Sequence, residues 1–286
     1  MIVVRTVAEL RAAVASARRR TQPVSLVPTM GAFHAGHQSL MRRAHVDGGF
    51  TVVSLFVNPA QFNDPADLER YPRDERRDAE LALAAGCDLL FAPAVSEVYP
   101  PGFSSAVEVR SVSAPLEGEV RGVEHFRGVA TVVTKLFNMT QPDVAYFGQK
   151  DAQQALLIRR MVRDLDIPIR IEVCATVREE DGLAMSSRNV LLTPADRQRA
   201  PALYRALAAV EERVSSGIRD PGEALAAGAR ILADAEIEPE YFAAVATDTL
   251  TPVRRITGET LIAIAARFGK IRLIDNVIVT PTDRVT

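Results

Sequence analysis

Two histidines three residues apart, His34 and His37, lie in the segment Pro28-Thr29-Met30-Gly31-Ala32-Phe33-His34-Ala35-Gly36-His37. At that spacing on a helical turn two side chains share a face, and an imidazole ring nitrogen can donate to a phosphate oxygen. Gly36 carries no side chain between them, so a nucleotide can approach the backbone there. Taken alone, the pair also suits a metal or a solvated helix start, although no third ligand stands beside it at a metal-binding spacing. The context favours phosphate. An apolar run precedes the pair and a helical pattern follows it, and a helix start presents unpaired N–H groups and the positive end of the helix dipole. His45, later in the same pattern, reads as a solvated residue.

Three more segments carry usable chemistry. In Phe56 to Phe62, Asn58 and Gln61 supply neutral amides. Such donors suit a substrate carboxylate that must attack as a nucleophile, because an arginine clamp would bind it more strongly but withdraw its charge. In Phe147 to Gln154, Gly148 leaves room for a ribose or base and Lys150 brings a positive charge. There Asp151 either caps the helix or accepts from a ribose hydroxyl, and Gln154 follows one turn later. In Met185-Ser186-Ser187-Arg188-Asn189, two hydroxyls and a guanidinium can clamp a departing pyrophosphate, with Gly182 as a hinge before them.

The elements that must position these residues follow from the hydrophobic pattern. Strands are expected at 24–28, 51–57, 88–92, 144–148 and 167–177, alternating with helices at 37–46, 77–85, 129–139 and 151–165. A further helix is expected after the capping-box spacing Thr6-Val7-Ala8-Glu9, with Met1 to Val4 simply leading into it. Strand–helix alternation of this kind predicts an α/β fold, a Rossmann-like doubly wound parallel sheet over residues 1–176. Ligands of such sheets bind beyond the carboxyl ends of the strands, where the first three segments fall. A polar loop expected to be mobile spans 178–192. Helices at 194–214 and from Asp220-Pro221 come next, and strands at 241–246, 260–266 and 272–279 close the chain. Residues 177–286 thus read as a smaller α+β domain, carrying the 185–189 loop and covering the active site.

Composition narrows the functional class. The 286 residues exceed the usual single-domain size, and 48% of them are hydrophobic, enough for a sizeable core. Lys and Arg number 34 against 36 Asp and Glu, so an anionic ligand must be held by local donors and not by bulk charge. No basic stripe points to nucleic acid. Apolar runs fall short of the ~18 residues a membrane span needs. The start of the chain does not read as a signal peptide, which makes the cytoplasm the expected compartment. Cys87 and Cys174 lie far apart in apolar runs and read as buried strand thiols.

Together the four segments resemble the nucleotidylyltransferase superfamily with a HIGH motif and a KMSKS-like loop. Within it the sequence is most similar to the pantothenate synthetase (pantoate–β-alanine ligase) family. That family shows PTMGALHxGH, FVNPxQF, YPR, RPxHFxGVxTVVxKL, FGxKDxQQ and MSSRN in this order. Here they stand at 28–37, 56–62, 71–73, 125–136 for the later part of the fourth, 147–154 and 185–189. The resemblance implies that His34, His37 and Lys150 hold the ATP phosphates, with Gly36 beside them. It places Met30, Gly148, Asp151 and Val177 around adenine and ribose, and Gln61 and Gln154 on pantoate. Met185, Ser186, Ser187 and Arg188 would close on the triphosphate and the leaving pyrophosphate, and Asn58 and Tyr71 would line the β-alanine region. Magnesium, with Asp78 as a contact through water, and a homodimer are implied in the same way. Two departures stand out. The chain has Arg121-Gly122-Val123-Glu124-His125-Phe126 where the family reads RPxHF, and Arg77 where a second acid is common. A cytidylyl- or adenylyltransferase acting on a phosphate acceptor would need basic residues where Asn58, Gln61 and Gln154 stand. A non-catalytic nucleotide sensor would not need the intact donor set.

Overall fold

In Val24–Thr29 (β2) and Phe50–Leu55 (β3) the buried positions are consecutive, not alternating, as in strands covered on both faces. In the computed structural model of the chain, which describes residues 1–281, they form the middle of a parallel sheet. Ile2–Val4 (β1), Leu89–Phe91 (β4), Val144–Gly148 (β5) and Arg170–Cys174 (β6) complete it, in the order β1-β4-β3-β2-β5-β6. The chain runs outward from β2 in one direction through β3 and β4, then returns to add β5 and β6 on the other side. That reversal is a topological switch, and the loops leaving β2 and β5 emerge at neighbouring strand ends. The architecture is the expected α/β one.

Two compact units make up the chain. The first comprises Met1–Gly148 and Gln153–Ala175, and the second Gln149–Ala152 and the residues from Thr176 onward. The last five residues of the expected second domain, 282–286, lie outside the described residues. In the first unit Val27, Val53, Leu90 and Tyr146 from the sheet bury against Leu40, Met41 and Ala44 of the Ala35–Val46 helix. In the second, Pro239–Ala246 (β7), Thr260–Phe268 (β8) and Ile271–Val279 (β9) form an antiparallel sheet. The helices Ala202–Ser215 and Pro221–Asp234 pack on it through Leu203, Leu207, Val210 and Leu232.

Local signals worked where they were strong. Thr6 and Glu9 make a reciprocal capping box, and Asp220 accepts from Glu223 N ahead of Pro221. Several expectations are corrected. Residues 2–4 form an edge strand, too short to show a period. The segment expected as one helix over 194–214 is two, Pro194–Arg199 and Ala202–Ser215, with Pro201 at the second N-cap. The strand expected over 167–177 shortens to Arg170–Cys174. Cys87 is buried, but in the turn before β4 and not in a strand, and Cys174 is half-buried in β6.

One close approach matters for the site. The Val123–Thr140 helix meets the Pro59–Gln61 turn at Gly128, where a Cβ would stand 2.2 Å from Ala60 O and 2.8 Å from Gln61 N. Backbone cannot yield as a flexible side chain can. Gly128→Ala should therefore destabilise the protein by ~1–3 kcal/mol. A denaturant midpoint that falls at unchanged slope checks this.

Candidate active site

After β2 the backbone turns through Gly31 and Ala32, both at positive φ (89° and 53°). The turn is held from below by Asp78, in the first turn of the Glu75–Ala84 helix. Its carboxylate accepts from Ala32 N at 2.8 Å and Phe33 N at 2.7 Å and is 2% exposed. Burial raises its pKa above the ordinary carboxylate value, and the two backbone donors pull it back. Both oxygens are thus engaged with backbone.

The turn delivers His34 to the N-cap of the Ala35–Val46 helix. His34 Nδ1 accepts from Gly36 N at 3.1 Å, and His37 Nδ1 reaches back to His34 N at a longer 3.4 Å. The pair forms a capping box in which imidazoles replace the usual hydroxyl and carboxylate. An Nδ1 that accepts leaves the proton of a neutral ring on Nε2. Each histidine therefore caps with one nitrogen and keeps a donor on the other, and the two rings lie 4.2 Å apart. The two histidines expected at the phosphates are thus the two that cap this helix.

At the end of β3 the Asn58–Gln61 pair differs from the sequence expectation. Asn58 is 1% exposed and does not line a crevice. Its Oδ1 accepts from Tyr99 Oη at 2.8 Å and Ala60 N at 3.3 Å, and its Nδ2 donates to Gln61 Oε1 at 2.9 Å and Gly128 O at 3.2 Å. All four hydrogen-bonding positions of that amide are filled, so Asn58 supports Gln61 and has no polar valence left for a ligand. Gln61 is half-buried, and its Nε2 donates to Met30 Sδ at 3.0 Å. His125 Nδ1 lies 2.7 Å from Gln61 O, fixing the same turn from the Val123–Thr140 helix. Tyr71 packs edge-on to Phe62 at 5.7 Å. Arg121 Nε pairs with Glu117 at 2.9 Å, and its carbonyl accepts from Asn63. Gln154 is half-buried in the first turn of the Ala152–Asp164 helix, while its neighbour Gln153 is buried, bonding Glu117 N, Val112 O and Pro115 O. Beside Gly148 a Cβ would meet no atom within 4 Å, so there is open space at the end of β5.

The second unit carries the remaining candidates. Lys150 and Asp151 sit in a short 3-10 turn, 3.6 Å apart as an ion pair. The turn is held by Asn276 of β9, whose Nδ2 donates to Gln149 O at 2.9 Å and Lys150 O at 3.0 Å. Val177 O accepts from Met185 N at 2.9 Å, and Arg178 bridges Ala184, so 177–185 is a small hairpin. The first part of the loop expected over 178–192 is thus a hairpin. Arg178 forms a bidentate pair with buried Asp275 (2.6 and 3.1 Å) and stacks on Tyr204 at 3.8 Å. Arg197 bonds Glu179 and Asp181, and Asn189 bonds Glu179. Gly182, at φ 91°, packs so close to Tyr204 that a Cβ would be 2.4 Å away. This contact leaves no room for a side chain at residue 182. Within 185–189, Ser186 Oγ accepts from Arg188 N at 3.2 Å, Ser187 is half-buried and Arg188 is exposed.

Sequence reasoning missed Tyr99, Asn276 and the Arg178–Asp275 pair. The last two had a signal: Asp275-Asn276 interrupts the apolar run of β9 with two polar residues, both 3% exposed. Cavity size is no guide. Cavities of about 380 Å³ near Leu232 and Ile237 and about 280 Å³ near Val107 and Met161 contain none of the candidate residues. Among the described residues no three His, Cys, Asp or Glu side chains cluster as a metal site, and no helix is long and apolar enough to cross a membrane.

Comparison with known proteins gives a consistent result. The model of the family described as pantoate-beta-alanine ligase matches residues 2–278. The chain is 52% identical over 280 residues to the pantothenate synthetase of Roseiflexus castenholzii, covering 97% of this chain and 99% of the relative. The Moorella thermoacetica enzyme is 49% identical over 284 residues, with 99% and 100% covered. Pantothenate synthetase from Thermus thermophilus superposes with a TM-score of 0.92 at 49% identity, covering 98% of this chain and all of that one. A pantoate-beta-alanine ligase from Francisella tularensis, complexed with beta-gamma ATP and beta-alanine, reaches 0.78 at 33% identity over 97% of both chains. The motifs, the sheet order and these likenesses agree, and the chain belongs to the pantoate–β-alanine ligase, or pantothenate synthetase, family of enzymes.

Proposed function

We propose that this enzyme condenses pantoate with β-alanine in two steps driven by ATP, within pantothenate and coenzyme A biosynthesis. A carboxylate oxygen of pantoate attacks the α-phosphorus of ATP in line, the bond to the β-phosphate breaks, and pyrophosphate leaves. The neutral amine of β-alanine then attacks the acyl carbon of the pantoyl-adenylate, the acyl carbon–oxygen bond to AMP breaks, and pantothenate, AMP and a proton are released. The first step needs no protein nucleophile, because the attacking carboxylate is already ionised. Catalysis then comes from positioning and from donors aimed at the phosphates.

The observation that carries this reading is the double-histidine cap. Two Nε2–H donors at a helix start, beside a topological switch, suit a polyphosphate. In this reading His34, His37, Gly36 and Lys150 hold the phosphates, and Met30, Gly148, Asp151 and Val177 surround the nucleoside. Gln61 and Gln154 hold pantoate. Met185, Ser186, Ser187 and Arg188 attend the leaving pyrophosphate, Tyr71 the β-alanine approach. Asn58 and Asp78 act from beneath, the one on Gln61 and the other on the turn at Ala32 and Phe33. Magnesium is bound on nucleotide phosphates with retained waters more often than in all-protein cages. ATP would bring it here, and it would neutralise phosphate charge. The reading takes the enzyme as a homodimer, as the family resemblance implies, in the cytoplasm expected from its sequence.

Three outcomes are expected. With pantoate as sole co-substrate, the enzyme should exchange labelled pyrophosphate into ATP, and a folded, ATP-binding protein without exchange would sink the adenylate route. Lys150→Ala should lower the exchange rate ~10²–10³-fold, the usual cost of losing one preorganised donor. Asp78→Asn puts an amide N–H against a backbone N–H whichever way the side chain turns. It should cost ~1–3 kcal/mol in chemical denaturation and weaken ATP binding in calorimetry. Wild-type behaviour on both counts would remove Asp78 from the support of the turn.

A further inference from the structure

Two backbone partners decide the direction of the Asn58 amide. Flipped, its NH₂ would face the Ala60 N–H and its oxygen the Gly128 carbonyl, like against like on both sides. With the amide held, Gln61 Oε1 is drawn to Asn58 Nδ2 at 2.9 Å, and Gln61 Nε2 is turned the other way, toward Met30 Sδ at 3.0 Å. A thioether is a weak acceptor, so a ligand oxygen would compete for those hydrogens with advantage.

At the far end of this chain of bonds from Gln61 is Tyr99. Its hydroxyl donates to Asn58 Oδ1 at 2.8 Å, across 41 residues of sequence. Its ring packs against Phe56 and Phe103, at 6.1 and 5.1 Å, with the Lys135 ammonium 5.9 Å from the ring centroid. Burial pushes the phenol up to about 12, so the group remains a donor throughout the physiological range.

We infer that Tyr99 is a positioning residue for the acid substrate: by its bond to Asn58 it holds in place the amide that draws Gln61 Oε1 inward and leaves the Gln61 N–H donors for that substrate. The polarity runs one way, from Tyr99 O–H to Asn58 C=O and from Asn58 N–H to Gln61 C=O, leaving the Gln61 NH₂ outermost. Such an end selects an acid rich in acceptor oxygens, by carboxylate or hydroxyl lone pairs, and disfavours one presenting an ammonium. The inference rests on the reading in which Gln61 holds pantoate.

The test is pyrophosphate–ATP exchange by the full chain with Tyr99→Phe, which deletes the hydroxyl and keeps the ring. The KM for pantoate should rise ~3–10-fold, on the scale of one hydrogen bond, while the KM for ATP, kcat and the melting temperature stay near wild type. A merely structural tyrosine would move all of these together or none, and either result overturns the inference. Gln61→Glu, made with Tyr99 intact, is the second arm. It replaces the outward NH₂ by an oxygen and should raise the pantoate KM ~100-fold or more, a like-charge penalty of several kcal/mol at an interface. An unchanged pantoate KM there overturns the inference even if Tyr99→Phe fails to fold. The two readings fail differently. Wild-type enzyme with no pantoate-dependent exchange sinks the proposed function and this inference with it, whereas normal wild-type exchange with unaltered variants sinks the inference alone.

Discussion

Between β2 and the Ala35–Val46 helix the chain must leave the sheet and start a helix within five residues, 30–34. It does so through two successive positive-φ residues, the second of them Ala32, whose Cβ makes that conformation cost ~1–2 kcal/mol. Asp78 compensates with two charge-assisted bonds to consecutive backbone N–H groups, each worth ~1.5–3 kcal/mol before the desolvation of the carboxylate is counted. The position of both histidines depends on this support. Gly31 belongs to the same constraint, since a Cβ there would stand 2.6 Å from Leu55 and 2.9 Å from the Asp78 carboxylate.

The same economy appears in the second unit. Lys150 lies in a turn too short to hold itself in place. Asn276 supplies what the turn lacks by donating to two consecutive carbonyls from the middle of a β-strand. Next to it Asp275 pairs with Arg178 and so fixes the base of the hairpin that leads to Met185–Asn189. Burial alone pushes the Asp275 carboxyl up, and the guanidinium pulls it down. Such a pair is weak evidence of net stability, yet removing one partner leaves a buried charge uncompensated. Two adjacent residues of β9 thus anchor both chemically charged segments of the unit.

What was legible in the sequence was what is local. Capping at Thr6 and Asp220, the consecutive apolar strands and the glycine-bearing strand ends all report on residues within one turn of each other, and they carried the fold class. The edge strand at residues 2–4 was invisible because three residues show no period. Asn58 was misjudged for a different reason. Its type and its place at a strand end suggested a ligand-facing amide, but the direction of an amide is decided by its partners. Those partners, Tyr99 and Gly128, are 41 and 70 residues away. Asp78 raised a related difficulty: the family resemblance implied a magnesium contact there, and its two backbone donors, 46 and 45 residues away, left no trace in the sequence. Polar residues buried in pairs, such as Asp275-Asn276, were the one readable trace of such long-range support.

The arrangement also bears on why donors of different kinds stand at the two ends of the proposed reaction. A phosphate gains from every cation and helix terminus near it, because negative charge builds on the leaving pyrophosphate. A nucleophilic carboxylate does not, since a cation that binds it tightly also stabilises the charge it must donate. Neutral amides avoid this, but an amide has two ends and can turn the wrong one outward at little cost. The first unit resolves that ambiguity with a relay whose far member, Tyr99, donates to Asn58 and whose middle member, Asn58, has its direction set by the Ala60 N–H and the Gly128 carbonyl. Orientation is then set by the buried side of the site before any substrate arrives. A neutral glutamine can thereby act as a selective donor without the charge that would blunt the attack.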